Sequence, residues 1–271
     1  MNADQIAKTL STLKSLRSPH ETVWRDCFDH SYPIRGSGFC TEQISAIEAQ
    51  MRKARMIDGT TTDAARILSS GIMSGLTPAN SLWFGMDVGQ ESEDERRWLD
   101  DSADILWQNI HASNFDAAAF EGLIDVVCAG WFALYIDQDM EKGGFTFDLW
   151  PIASVYCSAS KAGGKIDTVY REYKLTAEQA VNEFGEENLS EGTRKLAKEK
   201  PQEMVSFVHA IYPRTTHMVG AKLAKNMPVA SCKVEVEAKR LVSESGYHEM
   251  PVVVPRWMMI PDSVYAVGPV F

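Results

Sequence analysis

Apolar positions recur at every third or fourth residue from the start of the chain. Ile6, Leu10, Leu13 and Leu16 predict a helix over residues 2–16. Ser18, with Glu21 three residues on, has the spacing of a capping box and predicts a second helix that buries Val23, Trp24, Cys27 and Phe28. Pro33 ends that helix, and residues 35–38 read as a loop. Thr41 caps a predicted third helix that reaches about residue 54. A fourth, over residues 58–78, starts on hydroxyl and carboxylate cap residues and stops at Pro78. Its small side chains, Ala64, Ala65, Ser69, Gly71, Ser74 and Gly75, keep it thin. An interior glycine costs about 1 kcal/mol relative to alanine, so two of them lead us to expect another backbone packed close against this helix.

Residues 82–86 then predict a short strand, and 91–111 an amphipathic helix with Trp98, Leu99, Ala103, Leu106, Trp107 and Ile110 on its apolar side. An apolar helix over 115–131 runs into a strand at 132–136, and a glycine turn at 142–144 leads to a strand at 145–149. Short strands are expected near 154–158 and 167–174. Thr176 and Gln179 form another capping-box pattern, for a helix ending near Phe184 and Gly185. A charged helix at 190–199 precedes strands at 203–212, 231–238 and 241–257, the last interrupted at Ser245 and Gly246. There is no internal repeat, low-complexity tract or clean linker. The reading is a single α+β region, mainly helical over 1–132 and mainly β, mixed or antiparallel, over 133–271.

Composition changes this picture little. Of 271 residues, 45% are hydrophobic and 24% charged, which suits a folded protein with a sizeable core. The net charge of −10 and the lack of a basic run argue against a sequence reader of nucleic acid. An acidic wall would repel phosphate and let DNA slide past, but a mildly acidic balance is common and, on charge alone, reads first as solubility. Five widely spaced cysteines without a Cys-x-x-Cys pair suggest neither a zinc site nor a redox motif and fit synthesis in a reducing cytoplasm. The polar first residues lack a secretory signal, and no apolar run is long enough to span a membrane.

Patterns that carry chemistry are weak. Gly163-Gly164-Lys165-Ile166 lacks the leading glycine and the hydroxyl residue of a phosphate-binding loop and reads as a hairpin turn. Residues 137–141 resemble the start of a calcium loop, but Lys142 stands where glycine is needed and Asp148 where glutamate is needed. His20, His30, His111, His209, His217 and His248 form no compact ligand pair. Adjacent acids such as Asp100-Asp101 and Glu186-Glu187 point apart on a helix and read as solvated surface. No catalytic, cofactor-binding or metal residue is named.

Four segments in order supply more. They are residues 58–78 followed by Trp83-Phe84; residues 164–173 continuing to Phe184-Gly185; residues 208–214; and residues 244–251 ending in Pro255-Arg256-Trp257. Together they resemble the bacteriophage head-to-tail connecting proteins, the portals of short-tailed phages. The resemblance implies a non-enzymatic virion subunit in a homo-oligomeric, dodecameric ring, made in the host cytoplasm. Its implied partners are the terminase, the capsid, tail adaptor proteins and double-stranded DNA threading the channel, with no membrane. Where the family continues into Tyr-Gly-Arg-Gly-Pro, this chain has Tyr265-Ala266-Val267-Gly268-Pro269 and ends two residues later. The resemblance therefore implies a wing-like region without the family's stem and clip, and predicts exposed apolar surface where those parts would pack. Two alternatives stand beside it. One is a small interaction protein or decayed prophage remnant, and the other is a nuclease or hydrolase with a dispersed active site.

Overall fold

One apolar stripe runs the length of the first helix. Ile6, Leu10, Leu13, Arg17, Trp24, Cys27, Phe28 and Ser31 are all buried along helix α1 (Ala3–Ser31). This is a computed structural model that describes residues 2–36, 58–89, 92–139, 143–161, 164–218, 220, 222–261 and 263–271. The two helices expected on either side of Ser18 are thus one, capped by Asn2, with Pro19 inside it. An interior proline costs about 3 kcal/mol. The stripe keeps a helical period through residue 19, so burial on both sides outweighs that cost. Leu16 and Val23 lie off the stripe and are exposed, contrary to the burial expected for Val23. After Tyr32, a short turn of helix α2 (Pro33–Gly36) replaces the expected loop over 35–38 in its first two residues. The helix expected from Thr41 lies outside the described residues.

Helix α3 (Thr60–Leu76), α4 (Glu93–Ala112) and α5 (Phe115–Ala129) follow. Ser92 and Glu95 close a capping box on α4, and Gly130, with φ of 88°, ends α5 in the left-handed conformation that glycine adopts without strain. The strand expected at 82–86 does not form. Those residues have no regular structure and no ladder partner among the described residues. Side chains hold them instead, with Trp83 stacked on Phe115 and its indole N–H donating to His111 at 3.2 Å.

The strands form antiparallel pairs. A three-stranded sheet has the order β2-β1-β8, built from β1 (Ala133–Gln138), β2 (Phe145–Trp150) and β8 (Val252–Val253). A five-stranded meander runs through β3 (Val155–Ser158), β4 (Thr168–Thr176), β5 (Met204–Pro213), β6 (Val229–Glu235) and β7 (Arg240–Tyr247). The small pair β9 (Met258–Met259) and β10 (Ala266–Val267) completes the set. Between β4 and β5 lie helices α6 (Ala177–Phe184) and α7 (Glu191–Glu199). The α+β class expected from the sequence is observed. The expected break at Ser245 and Gly246 is not, because β7 continues to Tyr247 and the ladder lapses after it.

Both faces of the meander are covered. Ile6, Leu10 and Leu13 of α1 pack on Tyr170, Val208, Ala210 and Tyr212 on one face. On the other, Phe184 and Leu189 pack on Val205 and Phe207, while Trp150, Val169 and Ile211 join a core with Trp24, Phe28 and Trp131. Burial on both faces explains why β5 reads as a nearly continuous apolar run rather than an alternating one.

Candidate assembly surfaces

Polar side chains buried in this fold hold elements together. The Arg17 guanidinium donates to the carbonyls of Ile152 and Val155 at 3.0 and 2.7 Å, pairs with Glu21 at 2.8 Å and lies over the Tyr156 ring. Glu235 accepts from the Ser190 N–H and from the Ser190 and Thr193 hydroxyls, which fastens the start of α7 to β6. Arg35 reaches from α2 to Asp125 of α5 at 3.1 Å. Burial outweighs that cation and pushes the Asp125 carboxyl up to about 7.

His209 and Ser231 are buried and share a hydrogen bond of 2.7 Å. The pair superficially resembles a nucleophile and base, but desolvation, aided by Lys233 and Arg171, holds the imidazole down at about 3. Tyr135 and Trp150 pack against the ring. Packed against these two rings, the buried neutral imidazole is a structural partner of Ser231. Burial also pushes the Cys128 and Cys157 thiols up to about 12, away from the reactive thiolate. Among the described residues, no group of His, Cys, Asp or Glu is arranged to hold a metal ion. Asp137 lies at the rim of a strand and accepts from the Tyr135 hydroxyl. Asp148, at the twelfth position of the calcium-like pattern, instead pairs with Arg171 at 2.8 Å and accepts from the Trp150 indole N–H. Residues 140–142 of that pattern and 162–163 of the glycine turn before β4 lie outside the described residues.

The surface carries more information. On α3, Ile67, Leu68 and Leu76 face solvent, and a methyl group added at Gly71 or Gly75 would meet nothing within 4 Å. The close backbone expected there is absent from the described part of this chain. On α4, Leu99 and Ala103 are buried, whereas Trp98 and Ile105 are 67% and 60% exposed. A groove of about 790 Å³ runs between α4 and the β1–β2 hairpin, lined by Met86, Ile105, Leu106, Ile136, Phe145 and Tyr247 among others. A smaller one of about 400 Å³ lies beside the loop after β9, where Trp257, Met258, Met259 and Ile260 are exposed.

The segments that carry the family resemblance also meet in space. Arg214, at the end of the third, donates to the Glu244 carboxylate at 2.8 Å and to the Ser245 carbonyl, both in the fourth. It donates as well to the carbonyls of Ala224 and Met227, which closes the β5–β6 loop on itself. The Ala224 carbonyl occupies the place a side chain at Gly246 would take, so that loop can seat only over glycine. Arg256, in the fourth segment, bridges to Trp131.

Comparison with known proteins agrees with this arrangement. The family model described as bacteriophage head to tail connecting protein matches residues 3–271. The chain is 30% identical to the portal protein of Salmonella phage epsilon15 over 97% of its length, and 25% identical to the probable portal protein of Bordetella phage BPP-1 over 95%. It covers 48% and 47% of those relatives, so it spans about half their length. With a match across nearly all of its residues, the chain belongs to the bacteriophage head to tail connecting protein family.

Proposed function

We propose that this chain is a structural part of a phage portal, the wing-like region of a connector subunit that assembles with copies of itself into a ring. The family match over residues 3–271 carries this reading. The exposed apolar surfaces on α3, on α4 and after β9 support it, because surfaces of this kind mark places where a protein binds other proteins. In this reading the remaining half of the relatives' length corresponds to the stem and clip. The ring, dodecameric as in the intact family, meets the capsid, tail adaptors and the terminase. Double-stranded DNA passes through it without being read, and the net charge of −10 keeps that contact weak. The protein acts in the virion after assembly in the host cytoplasm and has no catalytic role.

A ring needs a heterologous, head-to-tail contact that closes. The test is sedimentation velocity and negative-stain microscopy of the purified 271-residue chain over the micromolar to millimolar range. The reading expects concentration-dependent oligomers and, at the upper end, closed rings. A chain that stays monomeric at every soluble concentration would overturn self-assembly as a property of this polypeptide.

A further inference from the structure

Charge is distributed unevenly between two surface features at opposite sides of the meander. From Met204 to Val234 the chain contains no Asp or Glu, but it has Arg214, Lys222, Lys225 and Lys233. Its middle is the β5–β6 loop. Arg214 and the Met218 N–H, which donates to the Asn226 carbonyl, fasten the two described flanks of the loop to each other. Even so, Met218 and Leu223 are 64% and 61% exposed. Neither Lys222 nor Lys225 has an ion-pair partner among the described residues. Described residues of a loop that show two apolar side chains and two cations to solvent have the character of an unmet contact.

The groove beside α4 has the complementary character. Ile105, Leu106 and Ile136 line it, with Asp137 and Tyr247 at its β side. Asp101 and Trp98 extend the lining face, because residues four apart stack along one side of a helix. Helix α4 carries Glu93, Asp94, Glu95, Asp100, Asp101 and Asp104 against Arg96 and Arg97.

The two features sit on opposite faces. Successive side chains of a strand point to opposite sides of its sheet. Tyr247 of β7 bonds Tyr135 of β1 at 2.6 Å and so faces the groove. The next residue back, Gly246, points to the other side, where the Ala224 carbonyl of the loop lies. Two complementary patches on opposite faces of one subunit are what a head-to-tail contact requires.

We infer that the β5–β6 loop of one copy, through Met218, Leu223, Lys222 and Lys225, docks in the groove between α4 and the β1–β2 hairpin of a second copy. This rests on the self-assembly proposed above and names the surfaces that would carry it. Self-association is measured by sedimentation velocity for the full chain and for the variants Leu223→Asp and Ile105→Asp, with far-UV circular dichroism confirming that each is folded. Both substituted side chains are largely exposed, so the fold should survive.

Each variant alone should associate at least about tenfold more weakly than the parent, as is typical for loss of an interface anchor. An equimolar mixture of the two should recover dimers, because the intact loop of the Ile105→Asp chain can meet the intact groove of the Leu223→Asp chain. If the parent associates and both variants match it, or the mixture stays monomeric, the loop-in-groove contact is wrong while ring assembly stands. If the parent itself is monomeric, both fail together.

Discussion

His209 and Asp125 are buried for different reasons and respond to pH in opposite directions. His209 is neutral in the folded protein down to about pH 3, whereas in the unfolded chain it titrates near ~6.5. Its contribution to stability is therefore present above about pH 6.5 and is lost as pH falls, by about 2 to 3 kcal/mol between pH 6.5 and 4.5. The folded Asp125 carboxyl titrates at about 7, against an unfolded value of ~3.9. Its contribution is present below about pH 4 and is lost as pH rises through 7. The two terms partly cancel across the weakly acid range. Urea unfolding at a series of pH values should separate them. His209→Gln, which can still bond Ser231, should tilt the profile so that stability holds up or rises toward acid. Asp125→Asn should make the loss toward acid steeper than in the parent. Two variants with profiles parallel to the parent's would show that neither group is held away from its ordinary titration.

Helices α3 and α4 show how an element can be correctly placed by its sequence and still be misread in its surroundings. The cap residues and small side chains of residues 58–78 identify α3, but they do not say what lies over Gly71 and Gly75, where the described structure has open space. Neither glycine has a positive φ. Gly71→Ala and Gly75→Ala should each stabilise the chain in dilute solution by about 0.8 to 1 kcal/mol through helix propensity alone. Denaturant midpoints measure this, and a loss of stability would mean that something already packs there. Periodicity found most helices because their period shows in the apolar residues themselves. It split α1 at Ser18 because a capping-box spacing is a local pattern and says nothing of the burial on both sides of it. It placed a strand at 82–86 because a short apolar run suits a strand, while a ladder needs a partner that sequence does not show. The candidate interface was half legible. The acid-free stretch over 204–234 is visible as a charge pattern, but the groove draws its lining from α4, three strands and the residues before α4, which only the fold brings together.

The two ends of the chain meet in one core, so the molecule should unfold as one unit. Tyr265, six residues from the end, packs its ring on His20 and Trp24 of α1 and on Trp131, with centroids 5.1 to 5.3 Å apart. Its hydroxyl accepts from the Cys157 N–H of β3 at 3.1 Å. Three residues on, a side chain at Gly268 would come within 2.6 Å of the Val126 and Val127 carbonyls, so the terminal segment lies directly on the end of α5. The Val270 N–H donates to Val127 there. Tyr265 thus ties α1, Trp131 just beyond α5 and the meander through one side chain, and the residues after it fasten the terminal segment to α5. Replacing a buried aromatic by alanine typically costs about 3 to 5 kcal/mol, and Tyr265→Ala should fall in that range. Because Trp24 and Trp131 line the same site while the helices and strands report by far-UV circular dichroism, the two signals should give a single coincident transition in the parent. The same coincidence should hold in the variant at a lower denaturant midpoint. If the tryptophan signal instead moved to low denaturant while the far-UV transition stayed in place, the terminal segment would be an appendage that detaches on its own rather than a part of the core.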